Sequence, residues 1–288
     1  MLDLCYNMRP LIFYHKDCSD GFGSAWAAWK HFGDAADYRA LSNGEPTPIA
    51  ELTGRETYFL DIAAKPEAIT QTKEQAKKLT VIDHHGTNKD AAENAHEGIF
   101  ALDHSGSVLT WQYFHKAKPM PKLLLFIEDV DLWRFTLPQT KHISMSLSLI
   151  PRQFSDWSDY AELLENEDGL RKEDEKGRYL LAFSDQEIAV VSKEAELVNF
   201  EGYKVLMVNS PSIFASAMGH LLAKRTPPLA LVWSRKNGQY KVSLRSDKSV
   251  NVAELAQKYG GGGHPGAAAF IVKTADWPTF MNKLLNNR

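Results

Sequence analysis

The feature that most constrains the fold is a short apolar run that ends abruptly in a carboxylate and two imidazoles. Residues 79–82 (Leu-Thr-Val-Ile) lead directly into Asp83-His84-His85. Such a run predicts a buried strand of a parallel sheet, and ligands bind beyond the carboxyl ends of strands of this kind. A carboxylate beside imidazoles suits a divalent cation, whereas a surface turn with two solvated histidines is the plainer alternative. The other strand ends decide between the two.

Two more apolar segments end in side chains of the same kind. Residues 11–14 run into a polar loop that starts at His15 and ends at Asp20, and residues 56–60 end at Asp61. The carboxyl ends of parallel strands meet at one edge of a sheet, so we expect these imidazoles and carboxylates to gather there. A helix cap at Asp20 is the plainer interpretation of that loop taken alone. Three such strand ends together favour a metal site.

The pattern of the whole chain predicts an α/β fold: a parallel-sheet N-terminal domain joined by a helical connector to a smaller α+β C-terminal domain. We place the first domain, with its connector, at residues 1–185 and the second at residues 200–288. In the first part, strands are predicted over 11–14, 38–41, 56–60, 79–82 and 99–102, and helices over 24–32, 65–77, 105–115, 121–135, 155–165 and 168–197. In the second part, strands are predicted over 203–208, 229–233, 240–245 and 267–272, and helices over 213–224 and 252–258.

Composition narrows the class of protein. The chain has 288 residues and a formal net charge of -3, which argues against a broad basic face that grips long nucleic acid. Its two cysteines, Cys5 and Cys18, cannot form a disulfide framework, so a reducing cytoplasm is the expected location. The N-terminus lacks the apolar region of a signal peptide, and no apolar run approaches the roughly 18 residues of a membrane span. We therefore expect a cytoplasmic protein with no membrane partner.

Four consecutive glycines, residues 260–263, precede His264-Pro265-Gly266 in the second part of the chain. Ordering them is costly, because glycine loses the most backbone freedom on folding, and a disordered linker would avoid that cost. An apolar strand resumes at Ala267, however, so we expect a loop at which the backbone approaches a ligand. Its amides would form an anion-binding nest.

Two positions keep alternatives open. The amides that follow Ser105 could hold a phosphate, although a plain serine N-cap is the commoner use of such a residue. Asp129 and Asp131 cannot lie on one face of a continuing helix. One of the two is a candidate ligand, and the other caps the helix or pairs with Arg134.

With these residues in view, the chain resembles the DHH phosphoesterase superfamily, in the branch that has a glycine-rich DHH-associated C-terminal domain. The resemblance covers nearly the whole chain and rests on the loop from His15 to Gly21, Asp61, Asp83-His84-His85, the region around Asp129 to Asp131, and residues 260–269. Members include RecJ-type exonucleases, oligoribonucleases, cyclic-dinucleotide phosphodiesterases and family II inorganic pyrophosphatases. The resemblance implies a parallel-sheet metal domain and a substrate-gripping domain across a cleft.

The resemblance also implies roles for single residues. One metal ion would be held by His15, Asp17 and Asp61. The second would be held by Asp20, Asp61, His84 and Asp129, with Asp61 bridging. His85 would face the substrate phosphate, and Asp83 would orient His84 or add to the metal shell. The substrate would be bound by Arg245, Gly261, Gly262, Gly263 and His264. The first loop departs from the Asp-x-Asp spacing of relatives, so Asp20 is the safer ligand, Asp17 could lie behind the ligands, and Asp131 competes with Asp129.

The implied function is a manganese-dependent phosphoesterase of the nucleic-acid-binding, exonuclease-like type. Two Mn2+ ions, for which Mg2+ or Co2+ could substitute, would activate a water that hydrolyses phosphodiester bonds of nucleotides or short oligonucleotides. Two alternatives remain: hydrolysis of phosphomonoesters or pyrophosphate bonds of small nucleotides, and an RNA-end-binding protein without catalysis. The substrate and the oligomeric state, a homodimer included, stay open.

Overall fold

A computed structural model describes residues 9–16 and 18–286, apart from the side chains of residues 236 and 286. The chain divides between Leu181 and Ala182 into two compact units. Within the described residues, no helix combines the length and the apolar character that crossing a bilayer requires.

The first unit is built on a five-stranded sheet whose strands are all parallel, in the order β2-β1-β3-β4-β5. The strands are β1 Leu11–His15, β2 Asp37–Leu41, β3 Glu56–Leu60, β4 Lys78–Asp83 and β5 Glu97–Phe100. The three central strands are apolar on both faces. Phe13, Phe59 and Val81 belong to one apolar cluster, whereas Ile12 and Leu60 belong to another. Burial on both faces explains why these strands read as continuous apolar runs.

Helices cover the sheet and form a separate apolar cluster, in which Trp26, Leu123 and Trp157 are buried. The helices are α1 Ser19–Phe32, α2 Ile49–Leu52, α3 Pro66–Gln75, α4 Lys89–Asn94, α5 Gly106–Phe114, α6 Lys122–Asp131, α7 Thr140–Leu147, α8 Phe154–Glu165 and α9 Glu167–Val191. Single 3-10 turns lie at Gly33–Ala35, Gly86–Asn88 and Ser192–Glu194. Helix α9 runs across the division between the two units.

The second unit contains a six-stranded mixed sheet in the order β10-β11-β9-β8-β7-β6. Its strands are β6 Glu196–Phe200, β7 Tyr203–Asn209, β8 Leu229–Lys236, β9 Gln239–Ser246, β10 Gly262–His264 and β11 Ala267–Lys273. Its helices are α10 Ala215–Arg225, α11 Val252–Gln257 and α12 Trp277–Asn286, with a 3-10 turn at Ser212–Phe214. β7 and β8 are parallel, and the other neighbouring pairs are antiparallel. The predicted fold class is confirmed.

The largest differences between predicted and observed boundaries occur at three helix ends. Helix α1 begins at Ser19 rather than Ser24, so that Asp20 lies in its first turn. Helix α6 ends at Asp131 rather than residue 135, because Trp133 and Phe135 adopt left-handed φ angles of 54° and 52°. The connector ends at Val191, since residues 196–200 pair with β7 as strand β6.

A loop was predicted for the whole glycine segment, but part of the segment forms a strand of the second sheet. Gly262 to His264 pair with β11 as an edge strand. A Cβ at Gly261 would lie 2.2 Å from the Ala269 carbonyl oxygen, and one at Gly263 would lie 2.5 Å from that of Ala267. Close strand pairing therefore requires these two glycines. Gly262 is different, because a Cβ there would meet nothing within 4 Å.

Candidate metal centre

The centre lies where β1, β3 and β4 end, on three adjacent strands of the first sheet. His15 closes β1, Asp61 follows β3, and Asp83 closes β4. Nδ1 of His15 is 3.2 Å from Oδ2 of Asp61, and Nε2 of His84 is 3.1 Å from Oδ1 of Asp61. The two oxygens of Asp61 thus face two different imidazoles, which is the arrangement a bridging carboxylate needs.

Asp61 is held in an unusual backbone conformation at this position. Its φ is 57°, although left-handed backbone costs a residue with a Cβ roughly 1–2 kcal/mol. Its N–H donates to the Ile82 carbonyl at 2.9 Å. A Cβ at Gly106 would lie 2.7 Å from Cβ of Asp61, so the start of α5 packs directly against it. Such strain is typical of functional sites.

Asp20 is anchored to the N-terminus of α5. Its Oδ2 accepts a hydrogen bond from Gly106 N–H at 2.7 Å, and its Oδ1 accepts one from Ser107 N–H at 3.0 Å. Burial and the nearby carboxylates of Asp61 and Asp131 nevertheless raise the pKa of Asp20 to about 7. The N-terminus of α5 therefore binds the carboxylate of Asp20 rather than a phosphate. The negative charges of Asp61 and Asp131 lie close to this carboxylate.

Nε2 of His84 faces three carboxylate oxygens: Asp61 Oδ1 at 3.1 Å, Asp131 Oδ2 at 3.4 Å and Asp20 Oδ2 at 3.6 Å. One imidazole N–H cannot serve three acceptors, and the Asp61 and Asp131 oxygens have no hydrogen-bond partner among the described residues. Metal–ligand bonds of about 2.0–2.2 Å place the ligands of one ion roughly 3.0–3.5 Å apart. These residues therefore fit a divalent cation.

The helix end brings Asp131 to this cluster, whereas Asp129 has a different environment. Both oxygens of Asp129 accept hydrogen bonds from the chain that follows α6: Oδ1 from Thr136 N–H at 2.9 Å, and Oδ2 from Leu137 N–H at 3.1 Å and from the Thr140 hydroxyl. Burial opposes these bonds, but they keep the pKa of Asp129 below its usual value. The aspartate that is not a ligand was expected to cap the helix or to pair with Arg134, but Arg134 pairs with Glu128 at 3.2 Å.

Asp83 organises the turn that follows β4. Its Oδ1 accepts the backbone N–H groups of His84 and His85 at 2.6 and 2.8 Å, and it lies 2.8 Å from Nδ1 of His85. Asn88 donates to its Oδ2 at 2.7 Å. Asp83 therefore orients the ring of His85. The resemblance implied that it orients His84 or adds to the metal shell.

The charges of the site change the pKa values of the imidazoles. Burial would lower them, but Asp61 and Asp20 outweigh burial and raise the pKa of His84 to about 9. Asp83 and Asp61 do the same for His85, whose pKa is also about 9. These imidazoles keep their protons because four buried or partly buried aspartates lie close to them: Asp20, Asp61, Asp83 and Asp131. Two divalent cations would carry the balancing charge.

One more donor set lies at the end of β1, where His15, Cys18 and Asp61 each offer a ligand atom, all within 4.8 Å of one another. Burial, with the carboxylates of Asp61, Asp131 and Asp20, raises the pKa of the Cys18 thiol well above its usual value. Asp17, which the resemblance implied as a ligand beside His15, lies outside the described residues.

The predicted substrate-binding residues lie in the second unit. Gly261, Gly262, Gly263 and His264 belong to or adjoin β10, and Arg245 lies on β9 opposite Ala267 of β11. The guanidinium of Arg245 donates to the Ser216 hydroxyl at 2.7 Å and to the Leu244 carbonyl at 2.8 Å, and burial lowers its pKa to about 10. Its stem packs on α10 at Gly219, where a Cβ would meet its Cγ at 2.6 Å.

Two contacts of the centre were not predicted from the sequence. The amides that follow Ser105 were considered as a phosphate site, but those of Gly106 and Ser107 donate to the Asp20 carboxylate instead. Asn43 lies 3.3 Å from Nε2 of His15 but comes from a loop 28 residues away. Asp129 and Asp131 were alternative candidate ligands in the sequence, and it is Asp131 that lies beside His84.

Comparisons with known proteins identify a domain family in the second part of the chain and similar folds among solved structures. Residues 202–287 match the model of the DHHA1 domain. The chain is 28% identical over 284 residues to the uncharacterized protein R106 of Acanthamoeba polyphaga mimivirus, and the match covers 90% of this chain and 66% of that protein. This chain thus spans just under two thirds of the length of that relative.

Three solved structures share the fold. RecJ of Thermus thermophilus in complex with Mn2+ has a TM-score of 0.51 at 13% identity, covering 96% of this chain and 51% of RecJ. An exopolyphosphatase-related protein of Bacteroides fragilis has a TM-score of 0.54 at 13% identity, covering 95% and 90% of the two chains. The DHH domain of a member of a family of ribosomal proteins has a TM-score of 0.56 at 12% identity, covering 96% and 85%. The resemblance of this chain to the DHH phosphoesterase superfamily, with a DHHA1 domain in its second part, is confirmed.

Proposed function

We propose that the protein is a metal-dependent phosphoesterase that hydrolyses phosphodiester bonds of nucleotides or short oligonucleotides. The observation that carries the proposal is the placement of Asp61 between two donor groups, with His15 on its Oδ2 side and His84 on its Oδ1 side. Members of the superfamily are hydrolases, and the RecJ structure that shares this fold contains Mn2+. We therefore propose Mn2+ as the resident ion, with Mg2+ or Co2+ as substitutes.

In this proposal His15 and Asp61 hold one ion, and Asp17 remains a proposed third ligand. The second ion is held by Asp61, Asp20, His84 and Asp131, with Asp131 in the place that the sequence assigned to Asp129. When bound, two divalent ions lower the pKa of a shared water and offset negative charge on the phosphate.

The remaining residues bind and orient the substrate. Asp83 holds Nδ1 of His85, so that the opposite edge of this ring is directed towards the phosphate. We assign a second phosphate to Arg245, whose guanidinium fork is fixed by Ser216 and suits paired phosphate oxygens. The backbone at Gly262, where a side chain would meet nothing, is the place we propose for close approach of a nucleotide.

The test is a substrate panel assayed with Mn2+, with a chelator as the negative control. Cyclic dinucleotides, di- to pentanucleotides and long single strands probe phosphodiester hydrolysis, and 3′-phosphorylated mononucleotides and pyrophosphate probe the alternatives. We expect release of mononucleotides from the short oligonucleotides. Turnover confined to phosphomonoesters or pyrophosphate would contradict the phosphodiester assignment. Metal binding without turnover of any phosphoester would favour an end-binding protein.

A further inference from the structure

The loop after β1 contains a sulfur donor that the metal assignment above does not use. Cys18 is the N-cap residue of α1, yet its side chain makes no capping hydrogen bond. A ligand atom of Cys18, one of His15 and one of Asp61 lie within 4.8 Å of one another. A sulfur in this position is within the span that donors of one ion occupy.

A second observation points to a ligand here independently of the cysteine. Asp61 is 1% exposed, and its Oδ1 has no hydrogen-bond partner among the described residues. A buried carboxylate oxygen without a donor is costly, and a cation would satisfy it. This oxygen faces Nε2 of His84, and the other oxygen, Oδ2, faces Nδ1 of His15. The carboxylate that lies with His15 and Cys18 therefore carries negative charge that a cation would balance.

The contacts of the His15 imidazole also suit a metal ligand. Nδ1 of His15 faces Asp61 at 3.2 Å, and Nε2 lies 3.3 Å from the side-chain amide of Asn43. An amide can donate or accept, so Asn43 can support the tautomer in which Nδ1 offers its lone pair. Histidine ligands are commonly held in this way by a partner on the other nitrogen.

We propose that Cys18 is a ligand of the ion held by His15 and Asp61, so that this position is a mixed nitrogen, oxygen and sulfur site. The proposal rests on the metal-dependent function above. On binding, the S–H bond breaks, a sulfur–metal bond forms, and the proton leaves to solvent. Thiolate favours Co2+, Zn2+ or Fe2+ over Mg2+, so Cys18 sets the metal preference of one position while the Asp20 and His84 position remains all nitrogen and oxygen.

The test is titration of the metal-free full-length protein with Co2+ in the presence of a phosphine reductant. Bound Co2+ is measured by equilibrium dialysis, and sulfur-to-cobalt charge transfer is measured by near-ultraviolet absorption. We expect two bound ions and a charge-transfer band from one of them. Cys5→Ser removes the other thiol of the chain and should keep the band. Cys18→Ser retains an N-cap oxygen and should bind Co2+ without the band, with a ~10-fold smaller preference for Co2+ over Mg2+.

The outcomes separate the two proposals. Two bound ions without the band in the parent protein would overturn the role of Cys18 and leave the proposed function intact. Failure to bind any Co2+ would overturn both. If Cys18→Ser does not fold, the Cys5→Ser protein provides a second measurement: bound Co2+ should slow alkylation of Cys18 by iodoacetamide at least ~10-fold, and an unchanged rate would contradict ligation.

Discussion

The carboxylates of the two units differ in the hydrogen-bond donors that surround them. In the second unit, Glu201 accepts hydrogen bonds from the Tyr259 hydroxyl at 2.6 Å and from Lys258 at 2.9 Å, and Lys283 lies 3.4 Å away. These donors lower the pKa of Glu201 to about 2. In the first unit, three aspartates share Nε2 of His84, and two of their oxygens have no hydrogen-bond partner among the described residues.

The difference lies in the balance of donors and acceptors. Where donors outnumber acceptors, as at Glu201, a carboxylate stabilises the fold. Where buried acceptors outnumber donors, the folded chain bears a cost that a cation would offset. The second arrangement is the one expected of a site retained for function, and the following variants test this contrast.

The largest effect is expected from Asp61→Asn, which keeps the shape of the side chain and removes the charge shared by both donor groups. Turnover of the best substrate with Mn2+ should fall at least ~1000-fold, which corresponds to about 4 kcal/mol of barrier. Steady-state kcat measures the effect. Glu201→Gln is the matched control, and it should leave kcat unchanged. Activity of Asp61→Asn within a few-fold of the parent would end the metal assignment.

The next effect distinguishes the two aspartates at the end of α6. Asp131→Asn should lower kcat ~100-fold, about 2.7 kcal/mol, with little change in stability, because the side chain faces His84. Asp129→Asn should instead lower the free energy of unfolding by about 1–3 kcal/mol, because its oxygens hold the turn after the helix. Its kcat should be unchanged at temperatures where it is folded. The reverse pattern would return the ligand role to Asp129.

Metal binding itself should stabilise the first unit. With free Mn2+ at ~100 times the dissociation constant of a site, each bound ion should raise the free energy of unfolding by about 2.7 kcal/mol, because the folded site binds the ion and the unfolded chain does not. Hydrogen exchange of amides in β1, β3 and β4 reports the change. The increase should be reduced by the contribution of at least one ion in His84→Ala, which loses a ligand of the second ion, and it should persist in full in Glu201→Gln. Equal stabilisation of the His84→Ala protein would place the ions elsewhere.

The smallest effect concerns Glu201 and depends on pH. Its folded pKa of about 2 lies below the ordinary 4.5, so its contribution is complete above pH 4.5 and is lost as pH falls towards 2. At pH 7, Glu201→Gln should lower the stability of β6 and β7 by roughly 1.5 kcal/mol, a modest value because both lysines are exposed. The difference from the parent should shrink between pH 4.5 and pH 3 in hydrogen exchange. A difference that does not change with pH would mean that packing, not charge, explains it.

Much of the first unit could be predicted because its signals are local. The apolar runs before His15, Asp61 and Asp83 are strands, and strands β1, β3 and β4 are neighbours. The Asn237-Gly238 pair, a sequence typical of two-residue hairpin turns, joins β8 and β9. The end of α6 was not predicted, since it depends on left-handed backbone at Trp133 and Phe135, which the apolar pattern of those residues does not reveal.

The sequence by itself determined which residue types stand at the ends of the parallel strands. Strands buried on both faces are continuous apolar runs, so the residue at which each run ends can be identified from the sequence. Only the tertiary structure decided which donors meet. Asp131 rather than Asp129 faces His84, the amides of Gly106 and Ser107 hold Asp20, and Cys18 lies with His15 and Asp61. These contacts depend on helix ends and backbone N–H groups brought together from distant segments, which residue identity and spacing do not encode.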